Sequence, residues 1–268
     1  MTDGLHPSAR LLRGFATDFL TCHDPAVVPR IMDPAYQLNI GGHVLAGRDH
    51  AYAPATVAQL DQFPGLIVTV HDVLVGPDMV AMRFTEHGVS RKHAPHAAAW
   101  GGVTLFQIEN GRLRHGWAEE DYFARKRQLA SGVCDPIRPP ASAPWDTPSL
   151  APDPHAEAVA RTWLEDPRSC LDGEMVETID CHGPLATALI APLHVQINAA
   201  LSAGPRVAFQ IDVHGAYAGG FDDIPTDRAG HPVILRFAGL LDTAGNRVTR
   251  AQIVADRLGL QRSLLGAR

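Results

Sequence analysis

The sequence is poor in cysteine. Only four of its 268 residues are cysteines, at positions 22, 134, 170 and 181. This number and spacing support neither a disulfide framework nor a paired-cysteine zinc site. Cys181 is followed by His182, but a metal site needs two further ligands at a suitable spacing. We therefore expect free thiols, no metal and no cofactor.

Long apolar runs are also missing. Charged residues and prolines interrupt every apolar stretch before it reaches the roughly 20 residues of a membrane-spanning helix. The first seven residues have neither the basic start nor the apolar centre of a secretion signal. These absences predict a cytoplasmic protein that does not enter a membrane.

Neither sign of charge dominates the chain. It has 23 Lys and Arg residues, 29 Asp and Glu residues and a formal net charge of -6. The longest basic cluster, Arg125 to Arg127, is typical of a solvated helix face. Nucleic-acid binding needs a basic stripe, so we do not expect it. The length and the 46% hydrophobic content are those of a globular protein with two domains.

The main positive feature is an internal repeat. Residues 68–88 and 195–215 align without a gap at an offset of 127. Each segment places a Gly-Pro turn between two stretches of alternating apolar residues, which predicts an antiparallel hairpin. Residues 111–129 align in the same way with 246–264, at an offset of 135. The larger offset indicates an insertion in copy two, which we place in residues 218–231.

A proline-rich segment separates the two copies. Residues 136–154 contain seven prolines, which is typical of an extended and fairly stiff connector. We therefore predict a first domain over residues 1–135, a linker over 136–154 and a second domain over 155–268. Trp145 lies in the linker and is expected to pin it to a domain surface.

The order of elements in each copy is helices, a hairpin, two longer strands and a closing helix. Copy one adds an Asn110-Gly111 turn and a W-x-x-x-D motif from Trp117 to Asp121. Copy two contains a run, residues 215–248, that is similar to G-x-H-x-G-x-F-x-x-I-P-x-x-G-x-x-V. Both resemble the SnoaL-like polyketide cyclases of the nuclear transport factor two superfamily. The resemblance implies an α+β fold with two tandem copies of a cone-shaped, bent antiparallel sheet wrapped around helices.

The resemblance implies an apolar pocket in each cone, but it does not choose an activity. The superfamily includes cyclases, ketosteroid isomerases, epoxide hydrolases, dehydratases and binding proteins without activity. The cyclases use a His on the penultimate strand and an Asp near the end of the last strand. The resemblance places Thr104 and Ala118 at these positions, and Ile253 at the Asp position of copy two. Ala and Ile cannot move a proton, so the cyclase mechanism is not carried over.

Glu86 is the first candidate for acid–base catalysis. Strand alternation puts it on one face with the apolar residues Val80, Met82 and Phe84. A carboxylate at the end of an apolar face would be desolvated, which raises its pKa and suits a general base near neutral pH. The alternative, which we favour, is that the strand ends first and Glu86 is solvated.

The acidic cluster after the last strand of copy one gives a second candidate. Glu120 shares a face with Ala118 if the strand persists, whereas Glu119 faces the other way. Asp121 recurs as Asp256, and each precedes a helical run. We expect both Asp residues to cap a helix, which leaves Glu120 as the catalytic candidate.

The candidate ligand contacts are polar or aromatic. Tyr36 and Asn39 fall on the first hairpin, where they could bind a carbonyl or a hydroxyl. Tyr36 as a core aromatic residue is an equal alternative. Trp100 and Trp117 are expected to line or close the apolar core, and Thr104 is the remaining candidate contact.

The two copies are expected to differ in role. Only 29 positions separate Asp166 from Val195, against 44 between the corresponding residues of copy one, so copy two has no room for a first hairpin. His87 and His214 lie on the outer sheet faces, where we expect them to pack against the other copy. This arrangement predicts an internal pseudo-dimer and is compatible with a homodimer.

The leading hypothesis is a pocket in domain 1 for a small, largely apolar metabolite with a carbonyl or a hydroxyl. Its chemistry would be isomerisation, cyclisation or hydration without a cofactor. The alternative is a binding or structural module without turnover, so whether the chain is an enzyme stays open. We expect the cavity of copy one to touch Tyr36 or Trp117, and that of copy two to be smaller.

Overall fold

A computed structural model of the chain describes residues 4–171, 175–179 and 182–266. Cys181 lies outside these ranges. Within them, every helix is too short or too polar to cross a lipid bilayer. The same ranges contain no group of three or more His, Cys, Asp or Glu side chains placed to hold a metal ion.

The first half of the described chain forms a sheet with helices before, within and after it. Its elements are α1 (Pro7–Arg13) with a helical extension (Gly14–Thr21), a short turn of helix (Pro25–Val27), α2 (Val28–Ile31), β1 (Met32–Ile40), β2 (His43–Ala46), a helical turn (Arg48–Tyr52) leading into α3 (Ala53–Gln62), β3 (Ile67–Val75), β4 (Met79–Val89), β5 (Ala97–Glu109), β6 (Arg112–Glu120) and α4 (Tyr122–Ser131).

The second half repeats this plan in a shorter form. After a single turn of helix in the linker (Pro144–Asp146), its elements are α5 (Pro154–Glu165), β7 (Val176–Thr178), α6 (Ala186–Leu189), β8 (Ile190–Ala203), β9 (Arg206–Tyr217), a further turn (Thr226–Arg228), β10 (Pro232–Ala244), β11 (Arg247–Ala255) and α7 (Arg257–Leu265).

The two sheets share one strand order. The first sheet runs β2-β1-β6-β5-β4-β3 and the second runs β7-β11-β10-β9-β8. In each sheet the first strand of the copy to pair with the rest of the sheet runs parallel to the last strand of that copy, β1 with β6 and β7 with β11. The remaining pairs are antiparallel. The predicted α+β fold with two cone-shaped copies is confirmed, although each sheet is mixed and not purely antiparallel.

The register of the hairpins matches the sequence repeat. Leu74 pairs with Ala81 in the first sheet, and Leu201 pairs with Ala208 in the second, which is the predicted offset of 127. β7 has only three residues, and no counterpart of β2 pairs with it among the described residues. The shorter segment between α5 and β8 thus shows a single short strand among its described residues, where copy one has a hairpin.

The closing helices begin and end as the sequence predicts. The side chain of Asp121 accepts a hydrogen bond from the Ala124 N–H at 3.0 Å, and Asp256 accepts one from the Gly259 N–H at 2.8 Å. Both carboxylates therefore cap the first turn of a helix. Gly132 then ends α4 in the left-handed conformation that glycine adopts without steric cost.

The outer faces of the two sheets pack against each other. A buried apolar cluster joins the sheets, including Leu74, Val103 and Leu105 from the first sheet and Ala208 and Leu240 from the second. Burial of these side chains removes apolar surface from water, which is the main force that holds the halves together.

Ion pairs and hydrogen bonds frame this interface. The Arg257 guanidinium donates to both carboxylate oxygens of Asp121, at 2.7 and 2.8 Å, and both side chains are fully buried. Arg206 forms a similar two-bonded pair with Asp72, at 3.0 and 2.7 Å. Lys126 adds a hydrogen bond to Gln261. The closing helix of each half thus contacts that of the other.

The two histidines predicted at the interface make their contacts within their own sheets. His87 hydrogen-bonds the Thr69 hydroxyl at 3.0 Å, and His214 stacks on His194 with 4.4 Å between ring centroids. Both lie near the far end of their strands, beyond the apolar cluster that joins the sheets. The interface is formed by the apolar side chains of this cluster and by polar contacts of Arg206 and Arg257.

The linker follows the edge of the first sheet. The N–H groups of Ala141 and Leu150 donate to the carbonyl oxygens of Val70 and Val75 on β3. This pairing covers an edge strand that would otherwise expose unpaired backbone groups. Trp145 packs against the core of the first half, as its predicted pinning role requires.

Candidate functional site

A cavity of about 160 Å³ lies inside the first cone. It is enclosed by the inner face of the sheet, by α3 and by the helical extension of α1. Most of its wall is apolar and includes Phe15, Leu20, Phe84 and Phe106. A ligand of matching shape would leave water for an apolar surface, which is favourable.

One wall of the cavity is the β1–β2 hairpin. Leu38 and Ile40 of β1 and Leu45 of β2 line the cavity and are each only partly buried. On α3, Ala55 also lines the cavity and is exposed to solvent. The mouth of the cavity therefore lies between this hairpin and α3.

Two buried carboxylates lie at one end of the cavity. Glu86 on β4 is 3% exposed, and Glu120 at the end of β6 is 8% exposed. Gln59 of α3 donates a hydrogen bond to Glu86 Oε2 at 2.6 Å, and the Trp100 indole N–H donates to Glu120 Oε2 at 2.8 Å. The favoured expectation of a solvated Glu86 was wrong, because β4 continues to Val89 and stays paired with β5.

Burial changes the ionisation of both carboxylates. Desolvation raises the pKa of Glu86 well above its ordinary value, and the nearby charge of Glu120 raises it further. Desolvation also raises the pKa of Glu120, although its hydrogen bond from Trp100 and the charge of Arg125 oppose the change. Because two adjacent carboxylates resist ionising together, they titrate as a pair.

The nearest cation is turned toward aromatic rings. The Arg125 guanidinium lies 5.0 Å from the centroid of the Trp100 ring and 4.2 Å from that of Tyr122, which are cation–π distances. Its charge lowers the pKa of each carboxylate without cancelling the effect of burial. Burial therefore remains the dominant effect, and the pKa of each carboxylate stays above its ordinary value.

Tyr36 supplies an unused hydrogen-bond donor. Its hydroxyl is buried at the cavity wall, and no described residue hydrogen-bonds it. Desolvation, followed by the effect of Tyr52, raises its pKa well above the ordinary value, so it stays protonated. A Cβ atom at Gly116 would lie 2.3 Å from this oxygen, so position 116 must be glycine. A ligand oxygen could accept the free hydrogen.

Two further predicted residues, Thr104 and Trp100, lie at the site. Thr104 lines the cavity directly across the β5–β6 pair from Ala118. Trp100 is buried behind Glu120, packs on Phe63 with 5.1 Å between ring centroids, and acts through its hydrogen bond to the carboxylate.

Asn39 and Trp117 lie on the opposite face of the sheet and do not line the cavity. The Asn39 side-chain amide lies 3.2 Å from the Nε2 atom of His115, and the Trp117 ring stacks on the His115 ring at 3.9 Å. Strand alternation explains both positions, because Tyr36 and Ala118 point inward. Trp117 belongs to the cluster between the sheets.

The sequence interpretation missed the polar residues that the helices supply. Tyr52, Thr56 and Gln59 line the cavity from the α3 region, and Tyr122 lines it from the start of α4. The first three are separated by four and three residues, which is the spacing of one helix face. A polar stripe on an otherwise apolar helix would have been the signal to look for.

The second cone has lost these features. The repeat offsets place Val213 and Ala255 where domain 1 has Glu86 and Glu120, and Phe209, Phe237 and other apolar side chains pack in this core. Two grooves of about 520 and 550 Å³ occur on this half, but on its outer surface. The carboxylate pair is specific to the first half.

Together, the fold and the cavity define a cone-shaped α+β unit with an apolar interior. Residues 10–129 match the family described as SnoaL-like polyketide cyclase. This match lies within the first half of the chain and covers less than half of its length. No curated protein matches the chain significantly.

Several solved structures align with about half of the chain. TsrD from Streptomyces laurentii is 22% identical, covers 47% of this chain with 96% of its own, and has a TM-score of 0.42. Wild-type IdmH from Streptomyces antibioticus is 16% identical, with 47% and 99% coverage and a TM-score of 0.41. An LEH-like epoxide hydrolase from M. tuberculosis is 16% identical, with 48% and 92% coverage and a TM-score of 0.41. These similarities are too low to transfer an activity.

Proposed function

We propose that domain 1 binds a small, largely apolar metabolite with a carbonyl or a hydroxyl and exchanges protons with it. The pair of buried carboxylates at the end of the apolar cavity carries this proposal. Such chemistry suits isomerisation, cyclisation or hydration without a cofactor. Similarity to a family with such varied activities does not identify the reaction, so the proposal rests on the residues of the site.

The proton transfers follow from the shared ionisation of the pair. An ionised carboxylate removes a proton from the carbon beside a carbonyl. The electron pair of that C–H bond forms a C=C bond, and the π pair of the carbonyl moves to its oxygen. Tyr36 donates a hydrogen bond to this oxygen as its charge grows. The protonated carboxyl of the pair then delivers a proton to the substrate at a second position, which balances the exchange.

The cavity volume limits the bound part of the ligand. An apolar cavity of about 150 Å³ is large enough for benzene. The present cavity of about 160 Å³ therefore suits a ring of five or six atoms with one oxygen. A longer ligand would extend through the mouth, past Leu45 and Ala55.

Cyclopentanone is a suitable probe, because it has this size, a carbonyl and exchangeable α-protons. We expect the protein in D₂O to accelerate the loss of the α-proton NMR signal. Glu86→Gln and Glu120→Gln should each reduce the acceleration on the order of 10²-fold, because Gln keeps the shape but cannot move a proton. Asn39→Ala, on the opposite face of the sheet, is the matched control and should retain it.

Binding without turnover is the second candidate, and the Tyr36 hydroxyl also suits it, because a hydrogen-bond donor can hold a ligand oxygen without any proton transfer. Cyclopentanone that binds without accelerated exchange would support this candidate over the enzyme. A cavity that does not bind cyclopentanone at all would contradict both.

We also infer that the two domains act as an internal pseudo-dimer through their outer sheet faces. The apolar cluster between the sheets and the buried Arg257–Asp121 pair support this inference. Native mass spectrometry of the full chain tests whether two chains associate further. A monomer would agree with this inference, because the outer sheet faces already cover each other within one chain.

A further inference from the structure

The turn of the β1–β2 hairpin contacts the second half of the chain. Gly41 and Gly42 form this two-residue turn between the paired residues Ile40 and His43, with φ angles of 56° and 75°. A tight hairpin turn of this kind needs positive φ at both central residues, which glycine provides. Both glycines lie within reach of side chains from the second sheet or its closing helix.

Glu119 links the turn to the second sheet. The Gly41 N–H donates to Glu119 Oε2 at 3.1 Å, and the Gln210 amide of β9 donates to Glu119 Oε1 at 2.8 Å. Glu119 is 1% exposed and Gln210 is 3% exposed. One buried carboxylate therefore accepts hydrogen bonds from both halves at once.

Gln210 belongs to a set of polar side chains that extends along the second sheet and ends at the same turn. The Asn198 amide donates to Gln210 Oε1 and to Asp212 Oδ1, each at 2.9 Å. Asp212 Oδ2 lies 3.7 Å from Arg236 Nε. The Arg236 guanidinium packs on the turn, where a Cβ atom at Gly42 would lie 2.6 Å from its Cζ atom. The turn is thus held on two sides by one connected set of polar side chains.

The two strands of the hairpin differ in their support. β1 pairs with β6 as far as Ile40, whereas β2 is an edge strand that pairs with β1, and its Val44 side chain is 59% exposed. β2 carries Leu45, which lines the cavity beside Leu38 and Ile40 of β1. The position of the β2 side of this wall therefore depends on how the turn is held.

We propose that the second domain positions the cavity wall of the first through the contact of Gln210 with Glu119. Gln210 is a positioning residue, because it reaches the cavity only through Glu119 and the turn. The proposal rests on the proposed function in one respect, namely that this cavity is the ligand site. It also gives the second domain, whose described residues form no such hairpin, a role in the activity of the first.

Site-resolved amide hydrogen exchange of the full chain tests this proposal without any ligand. Gln210→Leu keeps the size of the side chain and removes the donor. We expect the amides of Gly41 and of β2 to exchange about fivefold to tenfold faster, which is the effect of one lost hydrogen bond. Asp72→Asn is the control, since it weakens the Arg206 pair at a distant part of the interface and should leave hairpin exchange unchanged.

Cyclopentanone affinity gives the second measurement. Gln210→Leu should weaken binding several-fold, and Asp72→Asn should not. Unchanged hairpin exchange in Gln210→Leu, or equal acceleration in both variants, would overturn the proposal, as would faster exchange with unchanged affinity. If Gln210→Leu does not fold, Asn198→Ala tests the next contact in the set. Failure of the unaltered protein to bind cyclopentanone contradicts the proposed function, whereas the exchange result still decides the hairpin contact.

Discussion

The substitution Glu86→Gln tests the electrostatic state of the cavity through protein stability. Burial raises the pKa of Glu86 in the folded protein, so its carboxyl must lose a proton in an unfavourable environment as the pH rises. The folded state is then most stable below the unfolded pKa of Glu86, and part of that stability is lost as the pH passes the folded pKa. Gln cannot ionise and should remove this loss.

Each unit by which the folded pKa exceeds its unfolded value corresponds to about 1.4 kcal/mol. The buried carboxylate keeps a hydrogen bond from Gln59, which offsets part of the cost of ionisation. We expect the free energy of unfolding of Glu86→Gln, relative to the unaltered protein, to increase by on the order of 1–3 kcal/mol between pH 5 and pH 9. For a chain of this size, about 1 kcal/mol corresponds to a rise of roughly 2–4 °C in Tm.

Glu177 provides a control, because its pKa is shifted in the opposite direction to that of Glu86. Although partial burial raises the pKa of Glu177, hydrogen bonds from Gln252 and Arg250 and the charge of Arg83 outweigh it, and the pKa falls to about 2. This carboxylate stabilises the fold above its unfolded pKa, and the contribution is lost as the pH falls toward 2. Its side chain is 28% exposed, so solvent screening reduces the effect to about 1 kcal/mol. Glu177→Gln should therefore be destabilising at pH 7.

Urea denaturation of the three proteins at pH 5, 7 and 9 provides the measurement. The structure predicts that the free energy of unfolding of Glu86→Gln, relative to the unaltered protein, increases with pH. It also predicts that Glu177→Gln is less stable than the unaltered protein at pH 7. If Glu86→Gln is less stable than the unaltered protein at pH 9 by the same amount as at pH 5, Glu86 titrates normally and the proposed acid–base pair is wrong.

Three further substitutions have expected outcomes. Arg257→Met should lower the free energy of unfolding by about 3–5 kcal/mol in urea denaturation, because it removes the buried guanidinium that faces the charge of the Asp121 carboxylate. Gly102→Ala should destabilise by about 1–3 kcal/mol and weaken cyclopentanone binding, since its Cβ atom would lie 2.5 Å from Phe84 Cζ and 2.9 Å from Glu120 Cγ. Tyr36→Phe should leave stability unchanged within about 1 kcal/mol, because the hydroxyl has no partner to lose, but should weaken cyclopentanone binding in an NMR titration.

The sheet register could be predicted from the sequence because the chain contains two copies of the same hairpin, which can be aligned with each other. The two offsets fix which residues of one hairpin match those of the other, and the paired residues Leu74–Ala81 and Leu201–Ala208 follow them. Helix caps are similarly local, since an Asp before a helical run meets only the next few N–H groups. Repetition and locality explain why these predictions are confirmed.

The burial of Glu86 could not be predicted from its own strand. Alternation gave the direction of its side chain, but its environment depends on Gln59, which lies 27 residues earlier on α3. The length of β4 depends on its pairing with β5, which holds the strand together to Val89. The alternation of residues along one strand does not reveal such contacts between distant parts of the chain.

The positions of Asn39 and Trp117 show a different difficulty. Residue type favoured a ligand contact for both, but the side of the sheet is set by the phase of the strand. Tyr36 points inward, so Asn39, three residues later, points outward. Trp117 likewise lies opposite to Ala118 and Glu120. The phase of alternation is the stronger guide where residue type and phase disagree.

The two faces of the second sheet explain what the duplication has kept. On the inner face, Val213 and Ala255 stand where the first sheet has its carboxylates, and this core is filled by apolar side chains. On the outer face, Ala208 and Leu240 pack against the first sheet, and Gln210 reaches the carboxylate that holds the hairpin turn. A cone whose core is packed with apolar side chains still presents a matching outer face to its partner sheet. The polar contacts of the second domain therefore position the cavity wall of the first domain. The interior of the second domain is packed with apolar side chains, whose burial stabilises the two-domain chain.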